Sequence, residues 1–250
     1  VRFIAEKKER LDKALVERNI VETRAKARAL ILGGYVKVDS TMVDKAGAMV
    51  KPGSAIEVSE TSAFVSRGGE KLKFALDHFR PAVGGKVALD AGASTGGFTD
   101  CLLQYGARKV YAVDVGYGQL AWRLRNDPRV VVMERLNARA LSREMFDEAP
   151  QLAVIDVSFI SLTLVLPAVA NVLSDDGEII ALIKPQFEAG REKVGKGGVV
   201  RDEEVHREVI DKIMSFASSI GLVSKGTVQS PLLGPAGNKE FFIYLTRQPS

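Results

Sequence analysis

Four ionisable residues stand where apolar runs end or begin, and their types suit the handling of protons. Lys184 closes EIIALIK, Asp156 sits within VIDVSF, Glu240 opens EFFIYL, and Lys71 follows the turn-prone RGG of SRGGEKLKFAL. An apolar strand that ends in a charged residue delivers it to the sheet edge where ligand sites of α/β proteins form. An ammonium at the end of a buried strand, as at Lys184, needs a partner or water. Plainer readings stay open here: Asp156 as the cap of a following helix, Lys71 as a solvated helix residue, Glu240 as a solvated residue at a sheet edge. Together, two lysines and two acids could form an alternating charge cluster.

A second constellation is the turn in LDAGASTGGFTD, residues 89–100. Gly92, Gly96 and Gly97 follow an apolar strand and lead into a helical pattern, and glycine permits a tight turn and close approach of backbone to ligand. The spacing is G-x-x-x-G-G, which differs from the G-x-G-x-x-G of dinucleotide-binding turns. Asp90 could orient the turn or accept a hydrogen bond from a cationic part of a ligand; its plainer role is to cap the turn. Asp114 ends the next apolar run, where a carboxylate can hold the two hydroxyls of a ribose. NAD needs phosphate contacts, whereas S-adenosylmethionine offers an ammonium and a carboxylate instead. A carboxylate as close to the turn as Asp90 favours the sulfonium compound.

These residues need a scaffold. KVALD (86–90), KVYAVD (109–114), RVVVME (129–134), LAVIDV (152–157) and EIIALIK (178–184) are continuous apolar runs separated by segments long enough for helices. Such runs are buried on both faces, which predicts a mainly parallel sheet in an α/β sandwich. GLVSKGTVQS and KEFFIYLTR predict an antiparallel pair at one edge. Residues 1–60 have a different rhythm: two short helices around Leu11–Val16 and Thr23–Leu32, then short strands joined by Gly and Pro turns, a small α+β unit. The expected organisation is therefore 1–60, a linker at 61–65, and 66–250.

The chain has 250 residues, 46% of them hydrophobic, enough for a sizeable core with a small satellite unit. Cys101 is the sole cysteine and His78 and His206 lie far apart, so neither a disulfide framework nor a metal site is expected. The opening VRFIAEKKERLD lacks the apolar stretch of a signal peptide and no run reaches a membrane span, so a cytoplasmic setting without membrane contact is the expectation. The net charge of +4 is concentrated in residues 1–60, where 12 Lys or Arg face 9 Asp or Glu. A polyanionic partner fits that excess.

The runs SRGGEKL, LDAGASTGGFTD, DVGYGQLAWRLRNDPRV, DVSFISL, KPQFEAG and GPAGNKE, in this order, resemble the TlyA-type ribosomal RNA 2'-O-methyltransferases, a family also labelled hemolysins. The region from RLDKALVERNI to KPGSAIEV is similar to the S4 RNA-binding domain. The resemblance implies a Rossmann-like, FtsJ-like methyltransferase domain of α/β class behind an S4-like unit. It implies S-adenosylmethionine as cofactor and a cytidine ribose of small- or large-subunit ribosomal RNA as acceptor. The family's catalytic Lys-Asp-Lys-Glu set falls on Lys71, Asp156, Lys184 and Glu240. Asp90, Gly92, Ser94, Gly96 and Gly97 would line the cofactor site, with Asp114 on its ribose. Some relatives carry an Arg-x-Trp sequence that couples the domains; this chain has Ser62, Ala63 and Phe64 there, so that role is not carried over.

A 2'-hydroxyl is a poor nucleophile, so the reaction needs in-line aim and a base. Lys184 is the expected base, favoured by burial and the neighbouring Lys71 and opposed by Asp156. Lys71 would steer the ribose or stabilise developing oxygen charge, with Asp156 and Glu240 positioning the lysines. Arg2, Lys7, Lys8, Arg10, Lys13, Arg18, Arg24, Lys26 and Arg28 are candidates for phosphate contacts, Arg24 and Arg28 sharing a helix face. Segment 188–200, rich in Gly and Lys, is expected to be a mobile loop near the site. Phe98 and Trp122 are expected in the core, Phe159 and Phe187 at the acceptor pocket.

Competing readings fare less well. An NAD-dependent oxidoreductase has the wrong glycine spacing. An RNA base-amine methyltransferase would use Asp-Pro-Pro-Tyr, and the corresponding Asp156, Val157, Ser158 and Phe159 lack both prolines. A noncatalytic RNA-binding or ribosome-assembly factor would not need the intact charged tetrad.

Overall fold

A computed structural model describes residues 8–59 and 63–248. The first unit begins with β1 (Glu9–Arg10), α1 (Leu11–Glu17) and α2 (Arg24–Leu32), followed by β2 (Val36–Val38), β3 (Thr41–Met42), β4 (Met49–Val50) and β5 (Ile56–Val58). Leu11, Ala14 and Leu15 of α1 meet Ala27 and Ile31 of α2 at helical spacing, with Val36 and Val50 closing this small core. Thr23 caps α2 by accepting a hydrogen bond from Lys26 N at 3.2 Å.

The second unit runs α3 (Arg67–Phe79), β6 (Val87–Ala91), α4 (Gly97–Gln104), β7 (Lys109–Asp114), α5 (Trp122–Arg125), β8 (Val130–Glu134), β9 (Leu152–Ile155), α6 (Leu162–Val172), β10 (Glu178–Ile183), α7 (Pro185–Glu188), α8 (Glu203–Ser219), β11 (Leu222–Gln229) and β12 (Phe241–Arg247). Its seven strands lie in the order β11-β12-β10-β9-β6-β7-β8. Strands β6 to β10 are mutually parallel; β12 runs antiparallel to β10, and β11 to β12. Every residue of β6 is buried because the sheet is covered on both sides. Leu89 and Ala91 point into the layer that holds α6 and α8, while Ala88 points toward α3 and α4.

The order of strands reverses at β6, whose neighbours are β7 on one side and β9 on the other. The carboxyl ends of strands at such a reversal open a crevice in which α/β proteins bind ligands. The glycine turn follows β6 at this place, with Asp114, Asp156 and Lys184 just beyond or at the ends of β7, β9 and β10.

Candidate active site

The turn after β6 is held by its own amides. Gly92 N and Ala93 N both donate to Val113 O, at 2.9 and 3.0 Å, Gly96 N donates to Ala93 O at 2.7 Å, and Ser94 N donates to Asp114 Oδ2 at 2.8 Å. Those four donors are engaged within the protein, which leaves them poorly placed to cradle a pyrophosphate. The glycines answer to packing as well as to turn geometry. Gly92 has φ +94°, and a Cβ there would overlap the carbonyl of Asp156. A side chain at Gly96 would run into Leu120 and Leu124, and one at Gly97 into Ser66 and the backbone of Gly69. Gly96 and Gly97 therefore admit the close approach of α5 and α3, and Gly97 also lines the cavity described below.

Asp114 divides its carboxylate between two turns, accepting from Ser94 N through Oδ2 and from Gly116 N through Oδ1 at 2.6 Å. It stands on the wall of a cavity of about 1050 Å³ that Gly92, Ser94, Val115, Leu136, Asn137 and Ala138 also line. Each oxygen keeps a lone pair for a hydroxyl, and the apolar walls suit a planar base. The carboxylate and the apolar walls fit the adenosine part of S-adenosylmethionine. Asp90 differs from expectation: it is fully buried and lines neither this cavity nor the one beside it. Its Oδ2 accepts from Thr99 Oγ1 at 2.6 Å and its Oδ1 has no hydrogen-bond partner among the described residues. Burial pushes this carboxyl up to about 7 against the Thr99 hydrogen bond, with Asp156 adding to the rise.

The four charged residues meet in a neighbouring cavity of about 510 Å³. Lys71 Nζ is 2.5 Å from Glu240 Oε2, and Lys184 Nζ is 2.5 Å from Asp156 Oδ1. Lys184 also donates to Ser158 Oγ at 3.0 Å, a partner that sequence reasoning missed. Glu240 and Lys71 are only 1% and 8% exposed, which rules out the solvated readings of both. Asp156 does not cap a helix: Ser161 is the N-cap of α6, and Glu188 accepts from Leu162 N at 2.6 Å. Burial acts to raise the Asp156 carboxyl, but Lys184 and then Lys71 outweigh it and hold it below the usual range.

Gly92, Ser94, Asp156, Ser158, Phe159 and Phe187 belong to the walls of both cavities, which therefore meet beside Asp156, while Lys71, Lys184 and Glu240 line the smaller one. Phe159 is 91% exposed at their mouth, with its ring centroid 5.0 Å from that of Phe187. Phe98 is in the core as expected, whereas Trp122 is 78% exposed. Its helix, α5, is a single turn that buries only Leu124, so Trp122 has no layer to enter. Segment 188–200 includes a short turn at Arg191–Lys193 and a bridge between Gly195 and Val199. Asn238 anchors it, accepting from Val200 N and donating to Gly198 O, both at 2.9 Å.

Most of the basic candidates in the first unit have acidic neighbours. Arg10 and Arg24 converge on the buried Asp12, each at 2.9 Å; Lys13 pairs with Glu17, Lys26 with Glu22, and Arg18 with Glu9. Lys8 and Arg28 have no acidic partner among the described residues, while Arg2, Lys7 and Ser62 lie outside those residues. The two units touch: Arg67 N donates to Gly33 O at 3.1 Å, and Tyr35 Oη donates to Phe64 O at 3.1 Å. Phe64 is buried beneath α3, so this chain joins its units through an apolar residue at the linker.

Residues 64–247 match the family model described as FtsJ-like methyltransferase, and residues 9–56 that of the S4 domain. YqxC of Bacillus subtilis is 50% identical over 241 residues, 96% of this chain and 86% of that protein. A Mycobacterium tuberculosis (strain H37Rv) protein named 16S/23S rRNA (cytidine-2'-O)-methyltransferase TlyA is 48% identical over 241 residues, 96% of this chain and 90% of its own. A solved Streptococcus thermophilus structure carrying the hemolysin name superposes with a TM-score of 0.77 at 44% identity, covering 98% of this chain and 90% of that one.

Proposed function

Since the chain belongs to the TlyA-type family of FtsJ-like methyltransferases with an S4 domain, we propose that it methylates the ribose 2'-hydroxyl of a cytidine in cytoplasmic ribosomal RNA, with S-adenosylmethionine as donor. The observation that carries this reading is the pair of lysine-carboxylate contacts on the wall of the smaller cavity, which meets the larger one at Asp156. The name of the Mycobacterium tuberculosis relative supports the choice of acceptor.

Asp114 would hold the cofactor ribose, with Gly92 and Ser94 beside it. When bound, S-adenosylmethionine supplies a methyl group made electrophilic by its sulfonium. The acceptor ribose enters the smaller cavity between Phe159, Phe187 and the charged tetrad. Glu240 fixes Lys71, which steadies the negative charge that builds on the attacking oxygen. Asp156 and Ser158 fix Lys184 Nζ. Lys184 Nζ gives up one proton to solvent water before attack and then takes the proton of the 2'-hydroxyl. The S4 unit supplies affinity and placement through phosphate contacts.

Replacing Lys184 by Ala should lower single-turnover methyl transfer to RNA by about 10²- to 10⁴-fold, the usual worth of a positioned base. Cofactor affinity, read by calorimetry, should stay within a few-fold. Transfer at the wild-type single-turnover rate would remove Lys184 from this role.

A further inference from the structure

Resting on that reading, we propose that the acceptor cavity contains a phosphate subsite built by both units. In it, Lys45 from the segment between β3 and β4 joins Ser66 and Arg67 at the start of α3 to hold the RNA phosphodiester next to the target ribose. All three residues line the cavity that holds the tetrad.

Lys45 is the first unit's cation on this wall, and Arg67 joins it from α3. Arg10, Lys13, Arg18, Arg24 and Lys26 of the first unit each have a carboxylate partner, whereas Lys45 and Arg67, like Lys8 and Arg28 away from the cavity, have none among the described residues. Asp44, also on the wall, forms no ion pair with either. Arg67 lays its guanidinium against Met42 Sδ and its stem over Gly34. A thioether is a weak, uncharged acceptor, so the contact places the head group without cancelling its charge.

The backbone adds to this. α3 is 13 residues long, and its N-cap, Ser66, is only 7% exposed yet makes no capping hydrogen bond with its side chain. The result is a nearly buried hydroxyl, not engaged by the helix, at a helix terminus that favours anions. Glu70, the acid of the first turn, is not on this wall. Arg67 and Lys71 are four residues apart and share a helix face, about 6 Å along the axis. The subsite is thus one turn from the lysine that would face the reacting ribose, the relation expected of a nucleotide's sugar and its adjoining phosphate. Phosphate contacts position a strand without reading its bases, so here the S4 unit completes the acceptor site as well as tethering RNA.

The test uses the full chain, ribosomal RNA from dissociated subunits, and the variants Lys45→Ala, Arg67→Ala and the double substitution. Two readouts are taken: methyl-transfer kinetics, and equilibrium RNA binding across a salt series. The double variant should raise KM for RNA about ten-fold with kcat within about two-fold. It should also flatten the slope of log K against log salt by about 0.7 to 0.9 per lost contact. Lys45→Arg should restore both, and calorimetric S-adenosylmethionine affinity should match wild type in every variant. If Arg67→Ala does not fold, Lys45→Glu at its exposed position carries the test alone. Unchanged KM and salt slope, or a loss confined to kcat, would overturn the subsite. Wild-type protein that binds RNA without methylating it would overturn the proposed reaction instead, and the binding arm would still decide the subsite.

Discussion

Asp90 and Asp156 belong to adjacent strands at one sheet edge, and their surroundings push them in opposite directions. Asp156 has Lys184 and Lys71 to hold it ionised; Asp90 has one hydroxyl from Thr99, an unpartnered oxygen and full burial. A carboxyl raised to about 7 in the folded state, against about 3.9 unfolded, binds its proton more tightly when folded. The stability it contributes is fully present below pH of about 4 and is lost as pH rises through about 7. Asp90→Asn, a neutral isostere, should therefore gain stability over wild type at pH 8 and little at pH 4, measured by urea unfolding at both. Equal differences at the two pH values would contradict the assignment. The residue types of the site were legible in the sequence because charges at the ends of apolar runs stand out. The burial of Lys71 was not, since its helix is rich in charge and its partner Glu240 is 169 positions away. Trp122 misled for a related reason: its apolar character says nothing of the one-turn helix that leaves it exposed.

The sheet was the most legible element of the fold. Runs such as LAVI are apolar throughout because helices cover both faces, and the structure places strands on all of them with ends matched or shifted by at most two residues. The partners of the glycine turn were hidden, since they come from α3 and α5, which only the tertiary fold brings against Gly97 and Gly96. In the first unit the helices were visible around Leu11–Val16 and Thr23–Leu32, but the function of their charges was not. Arg10 and Arg24 tie the start of α1 to the start of α2 through Asp12, which has no exposed surface. The Arg10 hydrogen bond, with Arg24 assisting, overcomes burial and brings the Asp12 carboxyl to about 2. Because that value is depressed, the linked stability is present above about 3.9 and is lost as pH falls toward about 2. Asp12→Asn should cost the first unit about 1–3 kcal/mol at pH 7. Hydrogen exchange on the full chain should show faster exchange for amides in 11–32 while the amides of β6 and β9 stay protected. Unchanged exchange in 11–32 would show that the two arginines do not staple these helices.

The whole molecule joins a strand-reversal crevice to a small basic unit that reaches its rim. The first unit contributes Gly33, Gly34, Met42, Asp44 and Lys45 to the cavity that holds the tetrad. On the proposed function, placement of RNA and chemistry on its ribose would share one surface. No helix among the described residues is long and apolar enough to cross a membrane, and the hemolysin name of some relatives finds no such element here. The measurement that tests the central claim most directly starts from ribosomal subunits incubated with the full chain and S-adenosylmethionine. Their RNA is then digested to nucleosides and analysed by mass. The predicted product is 2'-O-methylcytidine, its methyl group on the ribose fragment and absent with Lys184→Ala. A methyl group on the base, or RNA left unmodified by protein shown to bind the cofactor, would contradict the account.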